Sequence, residues 1–101
     1  MKITVRKPKS KYNEFGSKYI KKILNRKYRQ FDFVKNVDVE VRRFNEELIS
    51  YLMNIYVDNN LKPITIAYTT SNEREALIGA INATKRQLNQ VKKYNTKGQT
   101  I

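Results

Sequence analysis

Eleven Lys and Arg side chains crowd into the first 29 positions of this 101-residue chain, where they meet a single acid, Glu14. Ammonium and guanidinium groups at that density neutralise phosphates and release counterions, so the chemistry they point to is the holding of a polyanion. Residues 30–70 hold four bases against six acids and residues 71–101 six against two, so the charge runs +10, −2, +4 along the chain. The nucleic-acid-binding set read from this pattern is Arg6, Lys7, Lys9, Lys11 and Tyr12 from an N-terminal arm, with Lys18, Lys21, Lys22, Arg26 and Arg29 from the helix that follows. Lys85, Arg86, Lys92 and Lys93 form a secondary basic patch near the other end. Tyrosines lie among these cations, and an exposed Tyr stacked on an unpaired base adds about 1–3 kcal/mol. Tyr12, in the arm, is the stacking candidate, whereas Tyr19 and Tyr28 are assigned to the core edge of their helix. Lys outnumbers Arg on that helix and Asn25 is the one amide placed for base reading. Backbone holding is therefore expected rather than sequence readout, and DNA and RNA both remain open.

Two absences remove whole mechanisms. With no Cys and no His there is no disulfide, no thiolate nucleophile, no Cys/His zinc site and no His general base. Asp38 and Glu40 would share one face of a strand and could hold Mg²⁺, but no third acid or following Lys has suitable spacing. On a helix the same two acids would simply favour its N-terminus. No Gly-rich phosphate loop is present. The expectation is a protein that is not an enzyme and has no catalytic residue, metal or cofactor.

The elements that must position these residues follow from periodicity. Ile3-Thr4-Val5, stopped by Pro8, reads as a short edge strand, and residues 8–13 read as a polar loop. From about Glu14 to Gln30 the apolar residues Ile20, Ile23 and Leu24 gather on one side of a helix. Lys18, Lys21, Lys22, Arg26 and Arg29 lie within roughly 140° on the other, with Lys27 as the exception. Asn13 or Ser17 is placed to cap it.

In the middle, Val37, Val39 and Val41 alternate like a strand, while Val34, Val37, Val41, Phe44, Leu48, Leu52 and Ile55 step by threes and fours. The second period is taken as dominant, giving a helix from about Arg43 to Val57 whose start could lie as early as Asn36. Ile64–Tyr68 is the clearest strand. Thr70 and Glu73 at capping-box spacing open a long helix with Leu77, Ile81, Thr84, Leu88 and Val91 on its stripe.

The fold class expected is helix-dominated α+β, in the order strand-helix-helix-strand-helix, with a small two-stranded sheet and two long amphipathic helices. It forms a single domain over 1–101, with a basic strand and arm at 1–13 and a frayed polar tail at 95–101. So thin a sheet invites completion by a second copy, which makes a homodimer a candidate. No apolar run approaches the roughly 18–20 residues of a membrane span, and the start lacks the apolar core of a signal peptide. A cytoplasmic location without membrane contact is expected.

A composition rich in Lys, Asn, Ile and Tyr fits AT-rich coding, as in a low-GC bacterium or its phages and plasmids. Two function classes follow. The first is a non-enzymatic nucleic-acid-binding protein of a phage, plasmid or other mobile element, gripping phosphates with the arm and first helix. The second is a small phage-type inhibitor or adaptor, anti-CRISPR-like, that docks on a host nucleic-acid-processing protein or ribonucleoprotein. Structural roles in a virion or on the ribosome make up the remainder.

Overall fold

The structure, a computed structural model, describes residues 1–9, 14–58 and 62–99, with side chains described as far as residue 92. The expected arm residues Lys11 and Tyr12, the side chain of Lys93 and the side chains of the tail at 95–101 lie outside the described set. The elements are β1 (Lys2–Arg6), α1 (Ser17–Tyr28), β2 (Val34–Asn45), β3 (Leu48–Val57), β4 (Ile64–Thr70) and α2 (Glu73–Gln99). The strands form one sheet in the order β1-β2-β3-β4. β1 runs parallel to β2, which requires the α1 crossover between them, while β2, β3 and β4 form an antiparallel meander.

This corrects the expected fold class. The sheet has four strands rather than two, and the helix placed over Arg43–Val57 is instead the β2–β3 hairpin. The physical reason lies in two irregularities and one coincidence. The β2–β3 register shifts between Val34 and Asn36 and again between Arg43 and Asn45, so a bulge at Lys35 turns the two-residue step of a strand into the three-residue step from Val34 to Val37. Leu48 and Leu52 then complete an apparent helical stripe that straddles both faces of the sheet. Ile49, Tyr51, Met53, Ile55 and Val57 are buried on one face, whereas Leu48 is exposed and Leu52 half-buried on the other.

The hairpin turns at Glu46-Glu47, where the Asn45 side-chain carbonyl accepts the Glu47 N–H at 2.7 Å. Because all four strands come from one chain and the helical stripes cover the sheet, the premise for a homodimer falls away.

Both helices cover the same face. Ile20, Leu24 and Tyr28 of α1 and Ala76, Leu77, Ala80, Ile81, Thr84 and Leu88 of α2 are buried against the inward residues of β2 and β3. Near the start of α1, the Glu14 N–H reaches Glu73 at the start of α2. Near its end, the Tyr28 hydroxyl lies 2.6 Å from Thr84 Oγ1. The two helices therefore run side by side in the same direction.

Two start signals differ from expectation. α1 begins at Ser17 behind Gly16, with no side-chain cap, so Ser17 does not cap; Asn13 lies outside the described residues. Asn72, not Thr70, caps α2: its side-chain oxygen accepts the Glu75 N–H at 3.2 Å and its carbonyl the Ala76 N–H at 2.9 Å. Glu73 is thereby released from a capping box and turns inward. Further along, Gly79 lets α2 approach β4, because a Cβ there would collide with the Tyr68 ring. Among the described residues no helix is long and apolar enough to cross a membrane.

Candidate functional site

The two faces of the molecule differ in charge. On the open face of the sheet, Lys2, Thr4 and Arg6 of β1 pair in register with Asn36, Asp38 and Glu40 of β2, so the bases Lys2 and Arg6 are mixed there with the acids Asp38 and Glu40. Glu40 lies 3.3 Å from the Arg42 guanidinium, and the Thr65 hydroxyl donates to Asn54 Oδ1 at 2.7 Å. Asp38 and Glu40 do share this face, as a strand reading requires, but the described residues include no cluster of three or more acids able to hold a metal.

The helix face is different. Lys18, Lys21, Lys22, Arg26 and Lys27 of α1 and Arg29 just after it are all exposed. Arg74, Arg86 and Lys92 of α2 are exposed as well, with Lys85 half-buried. Glu14 is offset by Arg74 at 3.1 Å. Arg26, Lys27, Arg29 and Lys85 line one notch of about 410 Å³, so the primary and secondary basic sets meet there. A polyanion approaching this side meets cations from both helices.

Between the helices lies a groove of about 310 Å³ lined by the apolar residues Ile23, Leu77, Ile78 and Ile81, of which Leu77 and Ile81 are buried and Ile78 is exposed. Phe15 and Tyr19 stand at one end, their rings stacked at 5.0 Å between centroids and 26° between planes. The Arg74 guanidinium lies 5.8 Å from the Phe15 ring centre. Tyr19 is 48% exposed whereas Tyr28 is fully buried, so the two tyrosines assigned to the core edge part company. Burial pushes the Tyr28 hydroxyl up to about 12, against the smaller opposing effect of its hydrogen bond with Thr84.

The remaining residues read from the sequence scatter. Arg6 is exposed on the open sheet face, and Lys9 lies beside the approach to α1. Lys7 is withdrawn from solvent into an ion pair with Glu73. Glu73 is 3% exposed and also accepts the Tyr51 hydroxyl at 2.6 Å and the Glu14 N–H at 2.7 Å. Burial disfavours its charge, but the hydrogen bonds from Lys7, Tyr51 and the Glu14 amide outweigh that and hold its carboxyl below the usual range. Tyr51 is pushed well above its ordinary value by burial and by the neighbouring carboxylate. This node ties both feet of the loop between β1 and α1 to the start of α2, and so sets where α1 lies.

Sequence reasoning missed Lys27, Arg74 and Glu73. Two of the three carried a signal: Lys27 sits four residues beyond Ile23, and Glu73 is in step with Ala76, Leu77 and Ala80. A charge on an apolar stripe marks a rim or a buried pair.

No protein-family model matches the sequence, and no curated protein is significantly similar to it. Solved structures are similar in fold. A ribosomal subunit interface protein from Coxiella burnetii superposes with a TM-score of 0.69 at 11% identity, over 91% of this chain and 98% of that one. The N-terminal domain of Thermus thermophilus Protein Y superposes with a TM-score of 0.70 at 12% identity, over 90% of this chain and 99% of that one. These neighbours overturn the expectation of a phage or mobile-element nucleic-acid binder, and equally that of an anti-CRISPR-like adaptor. What this chain shares with both neighbours, at such low identity, is the four-stranded sheet with its two helices.

Proposed function

We propose that this domain binds the ribosome without catalysis, its helix face lying on ribosomal RNA, and that it works in the cytoplasm where ribosomes are. One observation carries the reading: a fold similar to that of a ribosomal subunit interface protein presents its exposed cations from both helices on one side. The open sheet face, where Asp38 and Glu40 are mixed with Lys2, Arg6 and Arg42, offers a polyanion no comparable field. Lys18, Lys21, Lys22, Arg26, Arg29, Lys85, Arg86 and Lys92 are the contact residues, with Lys27 and Arg74 added from the geometry. Lys7 serves the fold through Glu73 instead.

Sedimentation with purified bacterial ribosomes tests this. The parent protein is expected to travel with ribosomal particles at about 50 mM salt and to dissociate steeply toward about 200 mM, as phosphate contacts require. Replacing Lys18, Lys22 and Arg26 with Glu is expected to leave the protein at the top of the gradient. Sedimentation of that variant with ribosomes as efficient as the parent's contradicts the reading.

A further inference from the structure

The groove between α1 and α2 has a composition that phosphate holding alone does not explain. Its floor is apolar, and at one end the stacked pair Phe15 and Tyr19 leaves the tyrosine 48% exposed. Its rims are cationic. At 100° per residue, Lys22 and Arg26 fall within about 60° of Tyr19 on the solvent side, and Lys27 and Arg74 line the groove itself. Asn82 also lines it, offering an amide that both donates and accepts hydrogen bonds. A cation-edged groove with an aromatic platform is how proteins hold single-stranded nucleic acid: the backbone follows the charges and a base lies on the ring. The volume of about 310 Å³ stands at the lower end for small-ligand sites, which suits one planar heterocycle.

We infer that this groove receives one unpaired RNA base, stacked on Tyr19 with its edge toward Asn82, while Lys22, Arg26 and Lys27 hold the flanking phosphates. The inference rests on the ribosomal reading for its source of RNA and adds to it a single-stranded contact with a named platform. The cationic rim repels a basic protein segment, and an acidic one is the competing occupant that a crosslinker at position 19 distinguishes from RNA.

The probe is a short uridine-rich RNA carrying one 2-aminopurine, compared with the same RNA bearing an abasic site in its place. Tyr19 packs outside the core, so Tyr19→Ala and Tyr19→Phe are expected to fold like the parent, checked by circular dichroism. Parent and Tyr19→Phe should quench 2-aminopurine fluorescence on binding. Tyr19→Ala should lose the quenching and bind the base-bearing RNA about tenfold more weakly, with little change toward the abasic RNA. Asn82→Ala should weaken the base-bearing RNA selectively while keeping the quenching.

Equal parent affinity for the two RNAs, or quenching that survives Tyr19→Ala, overturns the inference. So does a photocrosslinker at position 19 that reaches a ribosomal protein instead of RNA on the ribosome. Because the oligonucleotide assay needs no ribosome, intact quenching with no ribosome sedimentation would sink the ribosomal reading and leave the groove assignment standing. The reverse pattern would do the opposite.

Discussion

Glu73 keeps its charge in a nearly closed site because three donors reach its two oxygens, from Lys7, Tyr51 and the Glu14 amide. Its carboxyl is held below the ordinary value of 4.5, so near pH 4 the folded protein binds fewer protons than the unfolded chain. The stability it contributes is fully present above about pH 4.5 and is lost as the pH falls through the lower folded value. Urea unfolding of parent and Glu73→Gln at successive pH values is expected to show the parent's advantage at neutral pH shrinking in acid. At neutral pH the substitution strands the Lys7 ammonium and should cost about 3 kcal/mol. A pH-independent difference between the two proteins would show that the charge is not what holds the node. Tyr28→Phe removes a buried hydroxyl contact with Thr84, whose own oxygen still lies 2.9 Å and 2.8 Å from the Ala80 and Ile81 carbonyls. The expected loss is about 1 kcal/mol in the same assay.

The packing of α2 on β4 turns on Gly79 and Tyr68. Gly in a helix interior costs about 1 kcal/mol relative to Ala, yet a methyl group at position 79 would strike the Tyr68 ring. Gly79→Ala should therefore be more favourable in a Tyr68→Ala protein than in the parent, with a coupling of about 0.5 kcal/mol or more in a double-mutant cycle. Additive effects would mean that the ring moves aside freely. The same pairing of elements shows what the sequence made legible. Ile3–Val5, Ile64–Tyr68 and the stripe from Leu77 to Leu88 announced β1, β4 and α2, because each keeps one period throughout. The β2–β3 hairpin was hidden because the bulge at Lys35 and the outward Leu48 and Leu52 imitate a helical step. Of the candidate site, the charges of α1 were visible as a face. Their meeting with Lys85, and the groove lined by Ile23, Leu77 and Ile81, depend on two helices lying side by side, a relation that no single-helix pattern contains.

For the whole molecule, the +10 of the first 29 residues is divided by the fold. Arg6 goes to the sheet face and Lys7 to the interior, while the α1 cations join those of α2 in one field. That field faces one way, so on the proposed reading orientation on the ribosome would follow from folding rather than from net charge. If about six phosphates are contacted, the slope of log affinity against log salt should be near −4 to −5, and Arg6→Glu should change it less than Arg26→Glu. The most direct test of orientation uses a photocrosslinking residue placed at Arg26, on the helix face, or at Thr65, on the open sheet face, in ribosome-bound protein. RNA crosslinks from position 26 and few or none from position 65 are expected. Crosslinks to RNA predominantly from position 65 would contradict the assignment of the helix face as the RNA-bound surface.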